Sequence, residues 1–124
     1  MKKLLPLTII MLFSTAMFAQ SVNSTKFTQR VLLENDSVLV TEAILPAGES
    51  EPVHSHKWAS VIYIMEAGDF IDRDGDGKVI LDTRKLPMPL TLPFTTWKSP
   101  GGPHSVENLS KTIAMRLLRV ELKK

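Results

Sequence analysis

The placement of proline most constrains the fold of this 124-residue chain. Proline lacks a backbone N–H and its ring clashes with the preceding helical turn, so it ends or kinks a helix. Seven prolines leave no helical pattern of useful length between positions 46 and 103: Pro46, Pro52, Pro87, Pro89, Pro93, Pro100 and Pro103. The short segments between them are rich in Val, Ile, Leu, Thr and aromatic residues, which favours β-strands.

Eight segments have the composition of strands and are separated by turn signals. They are residues 26–33, 37–45, 58–65, 69–71, 78–81, 95–98, 104–107 and 112–121. The stretch 113–120 is long enough for a helix, but its flanking Ile and Val residues and the lack of a C-terminal glycine favour a strand. The pattern predicts an all-β sandwich or barrel, and the chain length allows one domain.

The first nineteen residues have the layout of a secretory signal peptide. Lys2 and Lys3 precede an apolar run, residues 4–13, that is short for a membrane span, and small residues follow up to Ala19. We expect cleavage after Ala19, with cleavage near residues 14–16 or an uncleaved anchor as alternatives. The expected mature protein, residues 20–124, would then be periplasmic or secreted.

Removal of Lys2 and Lys3 changes the charge balance. The chain has 15 basic and 13 acidic residues, so loss of these two lysines leaves a formally neutral domain. No basic excess remains to attract nucleic acid or, after cleavage, a membrane surface. The chain has no cysteine, which excludes disulfides, thiolate metal ligands and a cysteine nucleophile.

Three histidines form the main candidate site. Residues two apart in a strand share a face, so His54 and His56 can reach one point. His104 follows a Pro/Gly-rich turn and can complete a set of three imidazole ligands, which suits Zn, Cu, Fe or Ni. The alternative is that the His-x-His pair simply lies at the surface.

The surroundings of these histidines resemble the cupin superfamily. Residues 48–56, GESEPVHSH, resemble the start of the first cupin motif, and Gly68 stands where that motif closes. Residues 100–108, PGGPHSVEN, resemble the second motif, with His104 and Asn108 at its His-x3-Asn spacing. The resemblance extends over roughly residues 43–120, most of the mature chain.

The resemblance implies a double-stranded β-helix, a single jelly-roll barrel with its core at about residues 38–121. It also implies a divalent metal ion between the two motifs (Zn, Fe, Mn, Ni or Cu) and frequent pairing as a homodimer. Cupins usually supply a glutamate that is separated from the second histidine by three or four residues, and this chain has Ser60 and Val61 at those positions. A bound metal would therefore be held by three neutral imidazoles and water. For an exported protein, the affinity order favours Cu and Zn over Fe(II) and Mn(II).

Strand parity predicts which side chains line the interior. Trp58, Ser60 and Ile62 share the parity of His54 and His56, so we expect them in the pocket, together with Trp97 and Asn108. Packing in the core is the alternative for the two tryptophans. Tyr63 has the opposite parity and is expected on the outer face.

Several charged residues have two interpretations each. The segment 72–77, DRDGDG, begins like a calcium loop, but the carboxylate required at its twelfth position is absent, since that residue is Thr83. An Asp-Gly hairpin turn explains the same residues. Arg116 and Arg119 differ in parity, so at most one points inward, and a solvated role is expected. Glu49 and Glu51 lie near the histidines as partners, a general base or ordinary loop charges.

These features predict an exported small cupin that binds a divalent metal through His54, His56 and His104 and handles a small-molecule ligand. An enzyme of this type would be dioxygenase-like or isomerase-like, with catalytic residues that the sequence does not identify. The alternative is a non-catalytic ligand-binding or structural cupin without metal.

Overall fold

The computed structural model describes residues 26–124, so the predicted signal peptide, residues 1–19, lies outside the described residues. Within residues 26–124, no helix is long and apolar enough to cross a membrane. The described chain forms nine strands and one short 3-10 helix, Thr83–Lys85. The strands are β1 (Thr28–Glu34), β2 (Val38–Leu45), β3 (His54–His56), β4 (Ser60–Glu66), β5 (Phe70–Asp74), β6 (Val79–Asp82), β7 (Phe94–Lys98), β8 (Gly101–Asn108) and β9 (Met115–Leu122).

The strands form two antiparallel sheets. One has five strands in the order β1-β2-β9-β4-β7, and the other has four in the order β3-β8-β5-β6. The jelly-roll fold predicted from the sequence is therefore confirmed. The two sheets are not closed into a barrel, because strand pairing in the described chain stays within each sheet.

The sequence prediction missed one strand, β3, and the strand that it favoured over a helix near the C-terminus is confirmed. β3 was not among the eight predicted strands, because it is only three residues long and lies between a proline and a bend. It is held by pairing with β8, where His54 lies opposite His104. The segment that could have been a helix, residues 113–120, is the strand β9, which pairs with both β2 and β4.

The inner faces of the sheets form an apolar core. In β4 the buried residues alternate as the sequence predicts, with Ile62 and Ile64 inside and Tyr63 on the outer face. The core cluster consists of Leu45, Ile62, Ile64, Phe70 and Met115. Burial of these side chains is the main favourable contribution to folding of a domain this small.

The backbone requires glycine at two positions of the cupin-like motif. Gly48 has a φ of +75°, a left-handed conformation that side chains with a Cβ rarely adopt. A Cβ at Gly68 would lie 2.6 Å from the Cβ of Ser110, so the loop before β5 approaches this serine only without a side chain.

Candidate metal centre

The three histidines meet at one point between β3 and β8. Their ring centroids are 4.6 to 5.4 Å apart. One ring nitrogen from each lies within 4.8 Å of the other two. The Nε2 atoms of His54 and His56 are 2.9 Å apart. The predicted cluster is therefore present as a compact group of three imidazoles.

Each imidazole turns its Nδ1 atom toward an oxygen that can only accept a hydrogen bond. His54 Nδ1 lies 2.9 Å from the Pro52 carbonyl oxygen, His56 Nδ1 lies 3.0 Å from Glu121, and His104 Nδ1 lies 2.8 Å from Asp72. Nδ1 must therefore be the donor in all three rings. This leaves three Nε2 lone pairs, the arrangement that orients histidines around a metal ion.

Electrostatics keep the second histidine neutral. Burial, together with the nearby positive charge of Arg119, lowers the pKa of His56 to about 4, although Glu121 acts in the opposite direction. Asp72 is affected differently. Burial alone would raise its pKa, but the hydrogen bond of His104, the charge that this ring carries when protonated, and the charge and hydrogen bond of Lys98 outweigh burial and lower the pKa. At neutral pH, His56 is therefore an imidazole base and Asp72 is a carboxylate.

Glu51 is a further carboxylate at the site. Its Oε1 accepts a hydrogen bond from the Val106 backbone N–H and lies 3.9 Å from His54 Nε2. Burial raises the pKa of Glu51, and the positive charges that His54 and His104 carry when protonated partly offset this increase. The sequence had named this residue as a partner or general base. The structure places it beside the cluster, in the wall of the cavity.

Arg119 is the functional candidate that sequence reasoning placed in solvent. It lies on the inner face of β9 with only 8% of its surface exposed, and Nη1 donates to Ser60 Oγ at 2.8 Å. Arg116 has the opposite parity and pairs with Glu42 on the outer face. The sequence analysis predicted correctly that at most one of the two arginines points inward. It was wrong to expect both in solvent, as arginines usually are.

A cavity of about 390 Å³ opens beside the histidines. One end is polar and contains the three histidines with Glu51, Asp72 and Arg119. The other end is apolar, and its walls include Ile64, Phe70, Leu81, Leu90, Phe94 and Met115. This volume falls in the range of pockets that hold small organic molecules.

The predicted pocket residues have different positions. Ile62 and Trp97 line the cavity, although 55% of the Trp97 surface is exposed. Ser60 is fully buried beneath Arg119 and is not among the cavity-lining residues of the described chain. Asn108 is 1% exposed, and its side-chain amide donates to the carbonyl oxygens of Leu45, Pro46 and Ile113. Asn108 therefore joins loops at the end of the fold.

Trp58 lies outside the cavity as well. It occupies the bend between β3 and β4, so the strand parity that predicted an inward side chain is interrupted there. Its ring lies in a separate surface depression that also includes His56 and Glu121. Lys57 Nζ and Lys123 Nζ lie 5.1 and 5.7 Å from its centroid.

The calcium-like segment is a hairpin between β5 and β6. Asp74 Oδ1 accepts the backbone N–H groups of Asp76 and Lys78, which closes the turn. Asp72 instead points inward to His104. Among residues 26–124, the histidine trio is the only group of acidic residues and histidines with metal-binding geometry. The turn interpretation therefore accounts for this segment.

Solved structures of other proteins share this architecture. No family model matches the sequence, and no curated protein matches it either. A cupin domain from Bordetella pertussis is 25% identical, with a TM-score of 0.66 over 80% of this chain and 95% of that one. An RmlC-like cupin with a double-stranded β-helix fold from Methanocaldococcus jannaschii is 14% identical, with a TM-score of 0.59 over 82% and 84% of the two chains.

An enzyme is also among the similar structures. The polyketide cyclase RemF from Streptomyces resistomycificus is 21% identical, with a TM-score of 0.57 over 80% of this chain and 66% of that one. Its similarity, like that of the archaeal protein, concerns the fold.

Proposed function

The chain has the cupin fold, and we propose that it binds one divalent metal ion through the Nε2 atoms of His54, His56 and His104. One observation carries the proposal: all three Nδ1 atoms donate to oxygens outside the cluster, which leaves three Nε2 lone pairs in a group whose ligand atoms lie within 4.8 Å of one another. Two such lone pairs 2.9 Å apart repel each other unless a cation or a shared proton lies between them. The donor set therefore fits a metal ion.

The ligand chemistry limits which ion fits. Three neutral imidazoles suit Zn, Cu, Ni or Fe better than ions that prefer oxygen ligands, such as Mn. With Ser60 in place of the usual glutamate, no carboxylate belongs to the cluster of the described residues. If the protein acquires its metal outside the cytoplasm, Zn and Cu are favoured.

We propose that the adjoining cavity holds a small molecule next to this site. When bound, such an ion polarises a coordinated carbonyl or activates a coordinated water. Glu51 is the residue placed to move a proton, because it lies in the cavity wall and its pKa is raised by burial. In the alternative function, a non-catalytic binding protein, the same cavity holds its ligand without turnover.

Export and pairing complete the proposal. The layout of residues 1–19 supports secretion to the periplasm or beyond.

A homodimer is supported by β1, an edge strand that exposes Val31, Leu32 and Leu33 and can pair with a second copy of this chain. Equilibrium sedimentation of the wild type tests this pairing, and a monomer at all concentrations would contradict it.

Metal analysis tests the central part of this proposal. The full chain, purified without a metal-binding tag, is analysed by elemental mass spectrometry beside His104→Ala and Ser55→Ala. Ser55 lies between the two ligands of β3 but is exposed, so it is the matched control. We expect about one ion per chain in the wild type and in Ser55→Ala, and almost none in His104→Ala. A wild type that contains no metal and takes none up on reconstitution would contradict the proposal.

A further inference from the structure

Arg119 is a buried cation with no carboxylate in direct contact, although the charges of Glu121, Glu51 and Asp72 act on it. It is more than nine-tenths buried, yet no carboxylate oxygen of residues 26–124 lies within 4.0 Å of its guanidinium nitrogens. A buried charge normally has a paired ion of opposite sign, because its desolvation is costly. Arginine also has five N–H donors. Among the described residues, only Ser60 accepts a hydrogen bond from Arg119.

Arg119 has donors that no residue of the described chain uses, and it lines the cavity. The residue lines the cavity wall together with the histidines. No fully buried side-chain nitrogen of the described chain lacks a hydrogen-bond partner, so the remaining Arg119 donors reach open space. Arg119 lines this cavity and the surface depression that adjoins it at His104 and Lys98.

The other charges at this end of the cavity already have partners. Asp72 accepts from His104 and Lys98, and Glu121 accepts from His56. Glu51 accepts from the Val106 backbone. With a divalent ion in place, the ion together with Arg119 and Lys98 carries more positive charge than the three carboxylates neutralise. The polar end of the cavity therefore favours an anionic ligand.

Arg116 provides the contrast on the same strand. It lies three residues earlier and on the outer face, where its guanidinium donates twice to Glu42 Oε1, at 2.8 and 2.6 Å. Arg30 donates to the other oxygen of the same carboxylate. The outer arginine thus has the ion pair that the inner arginine lacks.

We propose that the ligand of this cavity is a small organic carboxylate whose carboxylate group accepts hydrogen bonds from Arg119. Its apolar body occupies the opposite end of the cavity, against Phe70, Phe94 and Met115. A guanidinium recognises the two oxygens of a carboxylate through paired hydrogen bonds, which favours this group over a neutral one. The inference rests on the proposed function, because it names the class of molecule held beside the metal site.

A matched pair of ligands tests this inference. 3-Phenylpropanoate and 3-phenylpropanamide have nearly the same shape and differ in charge. Each protein is first incubated with zinc and freed of unbound metal. Calorimetric titration then gives the dissociation constants of both compounds for the wild type, Arg119→Gln, Arg119→Lys and the control Arg116→Gln. We expect the wild type and Arg116→Gln to bind the carboxylate about tenfold or more tightly than the amide. In Arg119→Gln the preference should fall below about threefold, and Arg119→Lys should be intermediate.

Three results would overturn the inference: an unchanged preference in Arg119→Gln, a wild-type ratio near one, or no binding of either compound at millimolar concentration. If Arg119→Gln does not fold, the inference is tested by the ratio of the two dissociation constants in the wild type and by its decrease in Arg119→Lys. Metal content, measured on the same samples, separates the two proposals. A preference that depends on Arg119 in a protein that binds no metal would support the carboxylate ligand and contradict the metal site.

Discussion

The two ends of the cavity are built by opposite physical means. At the polar end, each charged side chain is positioned by a specific hydrogen bond, as between His104 and Asp72 or Arg119 and Ser60. At the apolar end, the side chains of residues such as Phe70 and Met115 are held by packing against one another. Burial of apolar surface stabilises a fold, whereas burial of charges contributes little or is costly. We infer that stability resides at the apolar end and ligand chemistry at the polar end.

Truncation at the apolar end should produce the largest change in stability. Phe70→Ala leaves a cavity where a nearly fully buried ring stood, so we expect a loss of about 3–5 kcal/mol in the free energy of unfolding. Urea unfolding of the metal-free protein measures it, with the exposed Met88→Ala as a control that changes little. If Phe70→Ala folds but no longer binds metal, stability and metal binding do not reside at separate ends of the cavity.

Replacement of a carboxylate that accepts a hydrogen bond at the polar end should change metal affinity more than the free energy of unfolding. Asp72→Asn replaces a carboxylate that orients His104, and such changes typically reduce metal affinity about 10–100-fold. Competition with a zinc chelator measures the affinity. Asp82→Asn is the matched control, a buried aspartate that pairs with Arg84 away from the histidines. Equal loss of affinity in both variants would contradict a specific role for Asp72.

The contrast between the two ends also explains what the sequence could predict. Period-two alternation placed Ile62 and Ile64 inside, and the motif spacing brought the three histidines together. Apolar burial is repeated along a strand, so it leaves a pattern that can be recognised. The partners Asp72 and Glu121 come from strands distant in sequence, and no local pattern marks a carboxylate that faces a histidine on another strand.

Two errors have local causes. Trp58 was predicted to point inward because side chains alternate along a strand. This alternation ends where the strand ends, and the chain bends at residues 57–58. Arg119 was assigned to solvent because most arginines are exposed. Its parity matched that of Met115 and Glu121, so alternation along β9 was the signal that could have placed it inside.

The pH dependence of folding should reflect the polar end. The folded state lowers the pKa of His56 from 6.5 to about 4, so the unfolded chain binds the proton more readily. The stability of the metal-free protein should therefore fall as the pH drops from about 6.5 toward 4, by an amount on the order of 1 kcal/mol from this residue.

Urea unfolding at pH 7 and pH 5 in the presence of a chelator measures this effect. The wild type should lose more stability between the two pH values than His56→Gln, which cannot take up the proton. An equal loss in both proteins would show that His56 is not held neutral by its surroundings.

The smallest expected change in zinc affinity is that of a Glu51 variant. Because Glu51 does not belong to the metal-binding group, Glu51→Gln should retain about one ion per chain and change zinc affinity less than Asp72→Asn does. The chelator competition described above measures both. A loss in Glu51→Gln as large as that in His104→Ala would make Glu51 a fourth ligand.

The histidine rings themselves allow the most direct test of the central claim. The chain has only three histidines, so a spectrum of ¹⁵N-labelled histidine side chains contains three rings. Without metal at pH 7, each ring should show a protonated Nδ1. Addition of one equivalent of zinc should shift all three Nε2 resonances and leave the Nδ1 protons in place. A ring whose Nε2 resonance does not respond, or which binds zinc through Nδ1, would contradict the three-imidazole site.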